Sequence, residues 1–225
     1  MSRYSSFPQV MAFLGGMALA VCQWLIYFHA PEEATMGLVQ KIFYIHLPLS
    51  LWALTSFFVV FVASAIYLWR RKPSADRLAQ ASAEVGVMLC ALALATGMLW
   101  ARRSWGVWWT WDPRLTTTLV MWFIYAGYLI VRALDFSQQR RSIVCAVVGV
   151  VAFLDVPLVF FSARVWRSIH PAVFGSSSGG LEPEMRLTVL ACVVSFGLLW
   201  GALVWLRMRQ LHMTACLDKN AVIMK

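Results

Sequence analysis

The sequence alternates long apolar runs with short polar connections. Each run is long enough for a helix that crosses a hydrocarbon core about 30 Å thick, which takes about 20 residues. We predict six transmembrane helices, at about 10–28, 47–69, 84–100, 117–134, 143–161 and 187–206. The runs are uniformly apolar and do not alternate as barrel strands do, which favours helices. The predicted fold class is therefore an all-α integral membrane protein.

The composition supports this fold class. Of the 225 residues, 61% are hydrophobic and 13% are charged, and the mean hydropathy is +0.71. A soluble domain has about 45–50% apolar and about 25% charged residues, so a water-soluble fold is excluded. Six membrane helices use about 120 residues and leave too few for a separate soluble domain. We expect residues 1–225 to form a single membrane domain.

The net charge of +9 is distributed in small groups between the apolar runs. No continuous basic face results, so nucleic acid is not a predicted partner. Lysine and arginine are more frequent at the N-terminus, in the second and fourth connections and in the tail than on the other side. The positive-inside rule then predicts that both termini are cytoplasmic. Most outer basic residues are arginines of the third and fifth connections, namely Arg102, Arg103, Arg114, Arg164, Arg167 and Arg186. Such arginines contact either lipid headgroups or an anionic ligand.

Five of the twelve tryptophans lie between Trp100 and Trp111. An aromatic belt at the membrane interface uses fewer tryptophans at each helix end. We call residues 101–116 the tryptophan segment. If this segment is helical, Trp105, Trp108, Trp109 and Asp112 share one face, and the segment is an amphipathic element in the outer interface. A flat aromatic surface beside arginines suits a flat apolar ligand that bears carboxylates.

A porphyrin is such a ligand. Its faces stack on indoles, and its propionates accept charge-assisted hydrogen bonds from arginines such as Arg102, Arg103 or Arg114. Its iron needs axial ligands, for which His46 and His170, at the outer ends of the second and fifth spans, are candidates. A single histidine at a membrane edge is more often an interfacial polar residue, so the hypothesis depends on the pair.

Two carboxylates near this side were also considered. We expect Asp112 to accept a hydrogen bond from an indole or to pair with Arg114, because a carboxylate beside propionates would repel them. Asp155 lies inside the fifth span, two residues before Pro157. An intramembrane carboxylate is a functional candidate, although hydrogen bonding to backbone freed by the proline is the simpler interpretation.

The stretch Trp105-Gly106-Val107-Trp108-Trp109-Thr110-Trp111-Asp112-Pro113-Arg114-Leu115-Thr116 resembles the tryptophan-rich "WWD" signature of haem-handling proteins of cytochrome c biogenesis. The six-span length, His46-Leu47-Pro48 and Trp166-Arg167-Ser168-Ile169-His170 resemble the haem exporter protein C (CcmC) family of bacterial cytochrome c maturation system I. The resemblance extends from about Lys41 through the sixth span. Pro113, where the family pattern has a small residue, and Pro171, where it has Gln, depart from it.

The resemblance implies that His46 and His170 are the axial ligands of a b-type haem, held non-covalently and transiently at the periplasmic face. The other haem-binding residues that it implies are Trp105, Trp108, Trp109, Trp111, Asp112 and Arg114. It further implies a multi-pass protein of the bacterial inner membrane that delivers haem to the periplasmic chaperone CcmE. Its other implied partners are the small membrane protein CcmD, the ABC transporter subunits CcmA and CcmB, and the lipid bilayer. Because no catalytic motif is present, we expect a haem-handling protein and not an enzyme.

Two other functions are compatible with the residues. An electron-transfer b-type cytochrome would bury its histidine pair inside a helix bundle and hold its haem tightly, whereas both histidines here lie at span ends. A permease with the tryptophan segment as a lid would need a polar path through the membrane, for which Asp155 alone is thin support. Whether His29, also on the outer side, contributes is left open by the sequence.

Overall fold

The computed structural model of the chain describes residues 6–135, 137–166, 168–170 and 181–223. Its regular elements in these ranges are helices, together with one isolated bridge between Glu33 and Gly37. The α-helices are α1 (Phe7–Trp24), α2 (Phe43–Arg70), α3 (Pro73–Trp105), α4 (Pro113–Ala133), α5 (Gln138–Ala152), α6 (Asp155–Val165) and α7 (Pro183–Ile223). A π-helix, Leu25–His29, extends α1, and a 3-10 helix, Leu38–Ile42, leads into α2.

The six predicted spans are confirmed. Among the described residues, six helical segments are long and apolar enough to cross a membrane, namely Phe7–His29, Leu38–Arg70, Pro73–Trp105, Pro113–Ala133, Gln138–Ser162 and Pro183–Asp218. Most of them extend beyond the predicted boundaries, because apolar windows report the hydrocarbon core whereas a helix continues through the polar headgroup region. Because six spans are an even number, the start of the first span and the end of the sixth lie on the same side of the membrane.

The fifth span is interrupted. α5 ends at Ala152 and α6 begins at Asp155, with Phe153 and Leu154 in a turn between them. Pro157 has no amide hydrogen to donate to the carbonyl of Phe153, and its ring crowds that carbonyl. The proline therefore accounts for the break, which the apolar window did not reveal.

α2 lies at the centre of the bundle, in contact with α3, α5, α6 and α7. Its Phe57 ring stacks on Tyr125 of α4, with ring centroids 3.8 Å apart and an interplanar angle of 11°. A Cβ atom at Gly86 of α3 would lie 2.8 Å from the Phe57 ring, so only glycine permits α2 and α3 to approach this closely. Tight packing of this kind fixes the position of His46 on α2 relative to α3.

The tryptophan segment does not form the helix considered above. α3 ends at Trp105 because Gly106 adopts a left-handed conformation (φ 77°), which glycine adopts without the steric cost of a Cβ. Arg102 donates to the carbonyl of Gly106 and closes the end of the helix. Residues 106–112 are irregular, and α4 begins at Pro113, whose fixed φ suits a first helical position. Trp105, Trp108 and Trp109 are therefore not on one helical face.

A polar network ties the helices together at the end of the bundle away from the tryptophan segment. Arg132 of α4 forms an ion pair with Asp76 of α3 at 2.7 Å, and their side chains are 6% and 15% exposed. Asp76 also accepts from Ser142 of α5. Glu84 of α3 pairs with Arg207 of α7 at 2.5 Å. Arg132, one of the charges used to predict orientation, thus lies inside the bundle.

Candidate functional site

His46 lies in the first turns of α2, half-buried against the last turns of α3. Its Nδ1 atom is 3.1 Å from the carbonyl oxygen of Ala93 and 3.0 Å from Oγ1 of Thr96. A carbonyl oxygen only accepts hydrogen bonds, so Nδ1 carries the proton and donates it. The neutral ring then has its lone pair on Nε2, the form in which an imidazole binds a metal ion.

Gly97 of α3 makes room for this ring. A Cβ atom built at Gly97 would lie 3.2 Å from Cε1 and 3.7 Å from Nδ1 of His46. Glycine therefore lets the imidazole approach α3 closely enough to reach the Ala93 carbonyl. The three supporting residues Ala93, Thr96 and Gly97 look like ordinary packing residues in an apolar run, so no sequence pattern marks them as part of the site.

Asp112 joins the beginning of α4 to the segment 168–170. One carboxylate oxygen accepts from the main-chain N–H of Arg114 and the other from that of Ile169, each at 2.9 Å. The side chain is buried, and the hydrogen bond that it accepts from Arg114, an expected partner, comes from the main-chain N–H. The carboxylate therefore caps α4 and holds the backbone next to His170 against the helix N-terminus.

The charge on Asp112 is stabilised by these contacts. Burial by itself raises the pKa of the carboxyl, but hydrogen bonds from the Ser168 side chain and from the amides of Ile169, Arg114 and Leu115 outweigh it. The pKa of Asp112 is therefore below its ordinary value. Ser168 was not predicted as a site residue, although it lies within the quoted motif.

His170 follows directly, half-buried beside the N-terminus of α4. Its main-chain N–H donates to Oγ of Ser168 at 3.1 Å, and Nη1 of Arg114 lies 3.2 Å from its Nδ1. His46 on α2 and His170 on this segment lie close enough for a charge on one ring to affect the other. The structure thus brings together His46, His170, Asp112 and Arg114, which the sequence separates by up to 124 positions.

The predicted tryptophans lie at the end of α3 and in the connection that leads to Asp112. Trp111 and Trp108 are 79% and 52% exposed, whereas Trp105 and Trp109 are half-buried. Trp105 packs edge to face on Trp100 at 5.0 Å, and Trp109 on Trp111 at 6.1 Å. The connection between α3 and α4 therefore exposes the indoles of Trp108 and Trp111. Because the paired rings pack edge to face, the indoles do not form one flat surface.

Three buried polar atoms of this region have no hydrogen-bond partner within the described residues. They are Nε1 of Trp109, Oγ1 of Thr110 and Oγ1 of Thr116. Buried donors without partners cost free energy, and they are a common property of sites that bind a polar ligand group. A porphyrin with carboxylates fits these residues. Nε2 of His46 could coordinate its iron, and the unpartnered donors and Arg114 could donate hydrogen bonds to its carboxylates.

The remaining candidates are His29, Arg102, Arg103, Asp155, Arg164 and Arg167. Nε2 of His29, at the end of the π-helix, is buried and has no partner in the described part of the chain. Arg102 is used to close α3, and Arg103 is exposed. Asp155 begins α6 inside the fifth span, with one carboxylate oxygen unpartnered among the described residues. The side chains of Arg164 and Arg167, and Pro171 with the following Gly/Ser stretch, lie outside the described residues.

The chain is thus a six-span helical membrane protein, and His170, Arg114 and Asp112 are linked by hydrogen bonds at one end of its bundle. The model of the heme exporter protein C (CcmC) family matches residues 3–222. The chain belongs to this family. Family membership gives the chain a role in haem export for cytochrome c biogenesis, in agreement with the resemblance of its motifs.

Curated relatives carry the same description. The chain is 33% identical over 177 residues to the heme exporter protein C of Bradyrhizobium diazoefficiens, covering 77% of this chain and 67% of the relative. It is 32% identical over 209 residues to that of Paracoccus denitrificans, with 90% and 84% covered. For the protein of Escherichia coli K12 the identity is 28% over 184 residues, with 81% and 74% covered.

Proposed function

We propose that this protein binds haem at the end of the bundle formed by the starts of α2 and α4 and the segment 168–170, and passes it to an acceptor. His46 and His170 are the axial ligands of the iron. The observation that carries the proposal is the pair of imidazoles from two distant elements, one of which already presents Nε2 with a free lone pair.

The remaining predicted residues surround the iron ligands in this proposal. Arg114 and the unpartnered donors of Trp109 and Thr110 bind the propionates. Trp108 and Trp111 cover part of a porphyrin face, and Trp105 supports them from the end of α3. Asp112 acts by positioning, because both of its oxygens are already bonded to main-chain amides. The haem is bound as b-type haem, without a covalent link.

The location of the site suits a carrier. Its residues lie at span ends, and the indole of Trp111 is largely exposed, so haem enters and leaves without opening the bundle core. Electron-transfer cytochromes that bury haem between helices retain it, so exposure favours transfer over the b-type cytochrome alternative. We propose that the site faces the periplasm from the bacterial inner membrane, and that the acceptor is the haem chaperone CcmE, with CcmD, CcmA and CcmB as further partners.

The test is the absorption spectrum of the purified protein loaded with haem. We expect a low-spin, bis-histidine spectrum in the wild type that is lost or strongly altered in both His46→Ala and His170→Ala. His212→Ala is the matched control, because this exposed histidine lies near the far end of α7. An unchanged spectrum in either site variant would remove that residue as a ligand, and wild-type protein that retains no haem would overturn the proposed function.

A further inference from the structure

We propose that a cavity at the end of the bundle away from the tryptophan segment binds the phosphate headgroup of an anionic phospholipid. The cavity lies between the beginning of α3 and the last turns of α7, and its volume is about 360 Å³. Lys72, Ser74 and Arg77 line it on one side and His212 on the other. Because none of these residues belongs to the haem site proposed above, the inference does not depend on haem binding.

Two cationic side chains line the cavity, and no aspartate or glutamate is among the described residues that line it. Lys72 and Arg77 form no ion pair with any residue that the structure describes. The carboxylate next to Arg77 in sequence, Asp76, is bonded to Arg132 and Ser142 inside the bundle. An anion that enters the cavity therefore finds two cationic donors, whose hydrogen bonds to a phosphate are charge-assisted.

The first turn of α3 adds polar groups to the same cavity. The N–H groups of a first helical turn have no acceptor inside the helix, and the helix dipole favours an anion beside them. Lys72, which precedes the helix, provides no side-chain cap for these groups. Ser74 brings a hydroxyl to the cavity, and His212 brings an imidazole from α7. Polar groups from two helices therefore surround the space in which a phosphate would bind.

The cavity lies at the depth of the lipid headgroups. α2 ends at Arg70 and α3 begins at Pro73, so the cavity adjoins the connection in which the chain turns at the membrane surface. Trp69, three residues before Lys72, is 78% exposed, and the guanidinium of Arg70 lies 4.7 Å from the centre of its ring. An exposed tryptophan at a span end is typical of the membrane interface. The phosphate of a phospholipid lies at the same depth and reaches the cavity without leaving the membrane.

The rest of the lining favours a lipid over a free phosphate ion. Pro73, Ala215 and Cys216 place apolar surface next to the cationic groups. Contact with this surface stabilises the glycerol carbons and the first methylenes of an acyl chain, whereas a free phosphate gains nothing from it. A zwitterionic headgroup carries an ammonium group, which Lys72 and Arg77 repel. Basic pockets between membrane helices bind anionic headgroups, so we expect phosphatidylglycerol to bind more tightly than phosphatidylcholine.

A lipid bound in the cavity joins α3 to α7. Nearer the middle of the bundle, the ion pair between Glu84 and Arg207 links these two helices directly. At the cavity, open space separates Arg77 of α3 from His212 of α7. A phosphate that accepts hydrogen bonds from both side chains therefore continues the link between the helices to the beginning of α3.

The experiment measures lipid binding to the detergent-solubilised full-length protein by native mass spectrometry. Dioleoylphosphatidylglycerol and dioleoylphosphatidylcholine are compared, because they have the same acyl chains and differ in headgroup charge. We expect the wild type to bind its first phosphatidylglycerol roughly tenfold or more tightly than phosphatidylcholine. Equal affinity for the two lipids would overturn the proposal. Inorganic phosphate at millimolar concentration should not displace the lipid, and displacement would identify a site for free phosphate instead.

The variant K72Q/R77Q removes both charges, and R70Q/R71Q is the matched control. Arg70 and Arg71 belong to the same connection, but each lies over a neighbouring aromatic ring and neither lines the cavity. Each lysine or arginine near an anionic surface strengthens binding by about fivefold, so K72Q/R77Q should bind phosphatidylglycerol roughly tenfold or more weakly than the wild type. The control should bind it as the wild type does. Equal losses in the two variants would mean diffuse attraction to the basic connection and would overturn the site.

A second readout decides the inference even if K72Q/R77Q does not fold. Cys216 lines the cavity and is exposed, whereas the other four cysteines are buried. In the wild type, phosphatidylglycerol should slow the reaction of Cys216 with N-ethylmaleimide several-fold, and phosphatidylcholine should not. A reaction rate that phosphatidylglycerol leaves unchanged would place the lipid elsewhere and overturn the proposal.

Discussion

A glycine on α3 makes room for the His46 ring, and this close approach is open to test. Gly97→Val should push the imidazole away from the Ala93 carbonyl, because the added side chain occupies the position next to Cε1. Loss of a hydrogen bond that orients a metal ligand lowers affinity roughly ten- to hundredfold. We expect haem binding to weaken by that factor, measured by titration with ferric haem.

The control is Gly127→Val on α4. A Cβ atom at Gly127 meets no atom within 4 Å, so the same substitution should leave haem binding unchanged. Equal losses in both variants would show that the effect comes from general disturbance of the bundle and not from His46.

The buried carboxylate of Asp112 makes stability depend on pH. Its pKa is lowered in the folded protein relative to the value of about 3.9 in an unfolded chain. The charged form is therefore stabilised by folding, fully above about pH 4, and this contribution is lost as the pH falls through the folded pKa. Asp112→Asn should cost about 1–2 kcal/mol at neutral pH, since an amide cannot accept from both main-chain donors.

The measurement is the unfolding free energy of the wild type and of D112N in detergent, from neutral pH to about pH 2. The difference should be constant above about pH 4 and shrink below it. Asp135→Asn, at an exposed position in the connection after α4, serves as the control and should cause little change at any pH. A wild-type advantage that persists unchanged at the lowest pH would contradict the role assigned to the carboxylate.

At this scale the sequence was informative about residues with distinctive chemistry. His46, His170 and Arg114 were predicted because two histidines and an arginine lie on the same predicted side as the tryptophan segment, within motifs that resemble a known family. Ala93 and Thr96 were not predicted. They contribute a main-chain carbonyl and a hydroxyl, which reach His46 only because α2 and α3 pack together. Main-chain groups have no signature in a sequence.

The length of α3 determines how the tryptophan segment is presented. Gly106 ends the helix in a left-handed conformation, which an alanine adopts at a cost of about 1–2 kcal/mol. Gly106→Ala should therefore destabilise the protein by about that amount. Gly127→Ala is the matched substitution inside a helix and should stabilise by up to about 1 kcal/mol, because alanine favours helix.

The two glycine variants can be compared by thermal unfolding in the same detergent. We expect the unfolding temperature to fall in Gly106→Ala and to rise in Gly127→Ala. If Gly106→Ala were neutral or stabilising, α3 would continue past Trp105, and the amphipathic helix considered from the sequence would be formed after all.

The element scale also explains why that helix was considered. The spacing of Trp105, Trp108, Trp109 and Asp112 fits one helical face, and periodicity is the main signal for a helix. Two residues, Gly106 and Pro113, prevent this helix from forming. Gly106 ends α3 and Pro113 begins α4, so the tryptophans lie in an irregular connection. Likewise, the apolar window of the fifth span reported its hydrophobicity but not the break caused by Pro157.

For the whole molecule, the prediction still to be tested is orientation in the membrane. Ser104→Cys introduces a thiol at an exposed position near the end of α3, whereas the natural Cys216 is exposed near the far end of α7. If the positive-inside prediction is right, a membrane-impermeant maleimide should label residue 104 in intact spheroplasts. Cys216 should be labelled only after the membrane is permeabilised.

The other four cysteines are buried and provide the unlabelled background. A Cys216→Ser variant of the same chain assigns the signal to residue 104 without ambiguity. Labelling of Cys216 in intact spheroplasts would invert the orientation and would place the His46 and His170 group on the cytoplasmic side.

The sequence alone determined that this is a six-span helical membrane protein, because hydrocarbon requires long apolar helices and the composition provides six. It also predicted candidate haem-binding side chains, and their motif resembled the family to which the chain belongs. Only the tertiary structure decided which nitrogen of His46 carries the proton and which carries the lone pair, because this depends on the contact with the carbonyl of Ala93 on another helix. Such contacts follow from how helices pack, which no local pattern encodes.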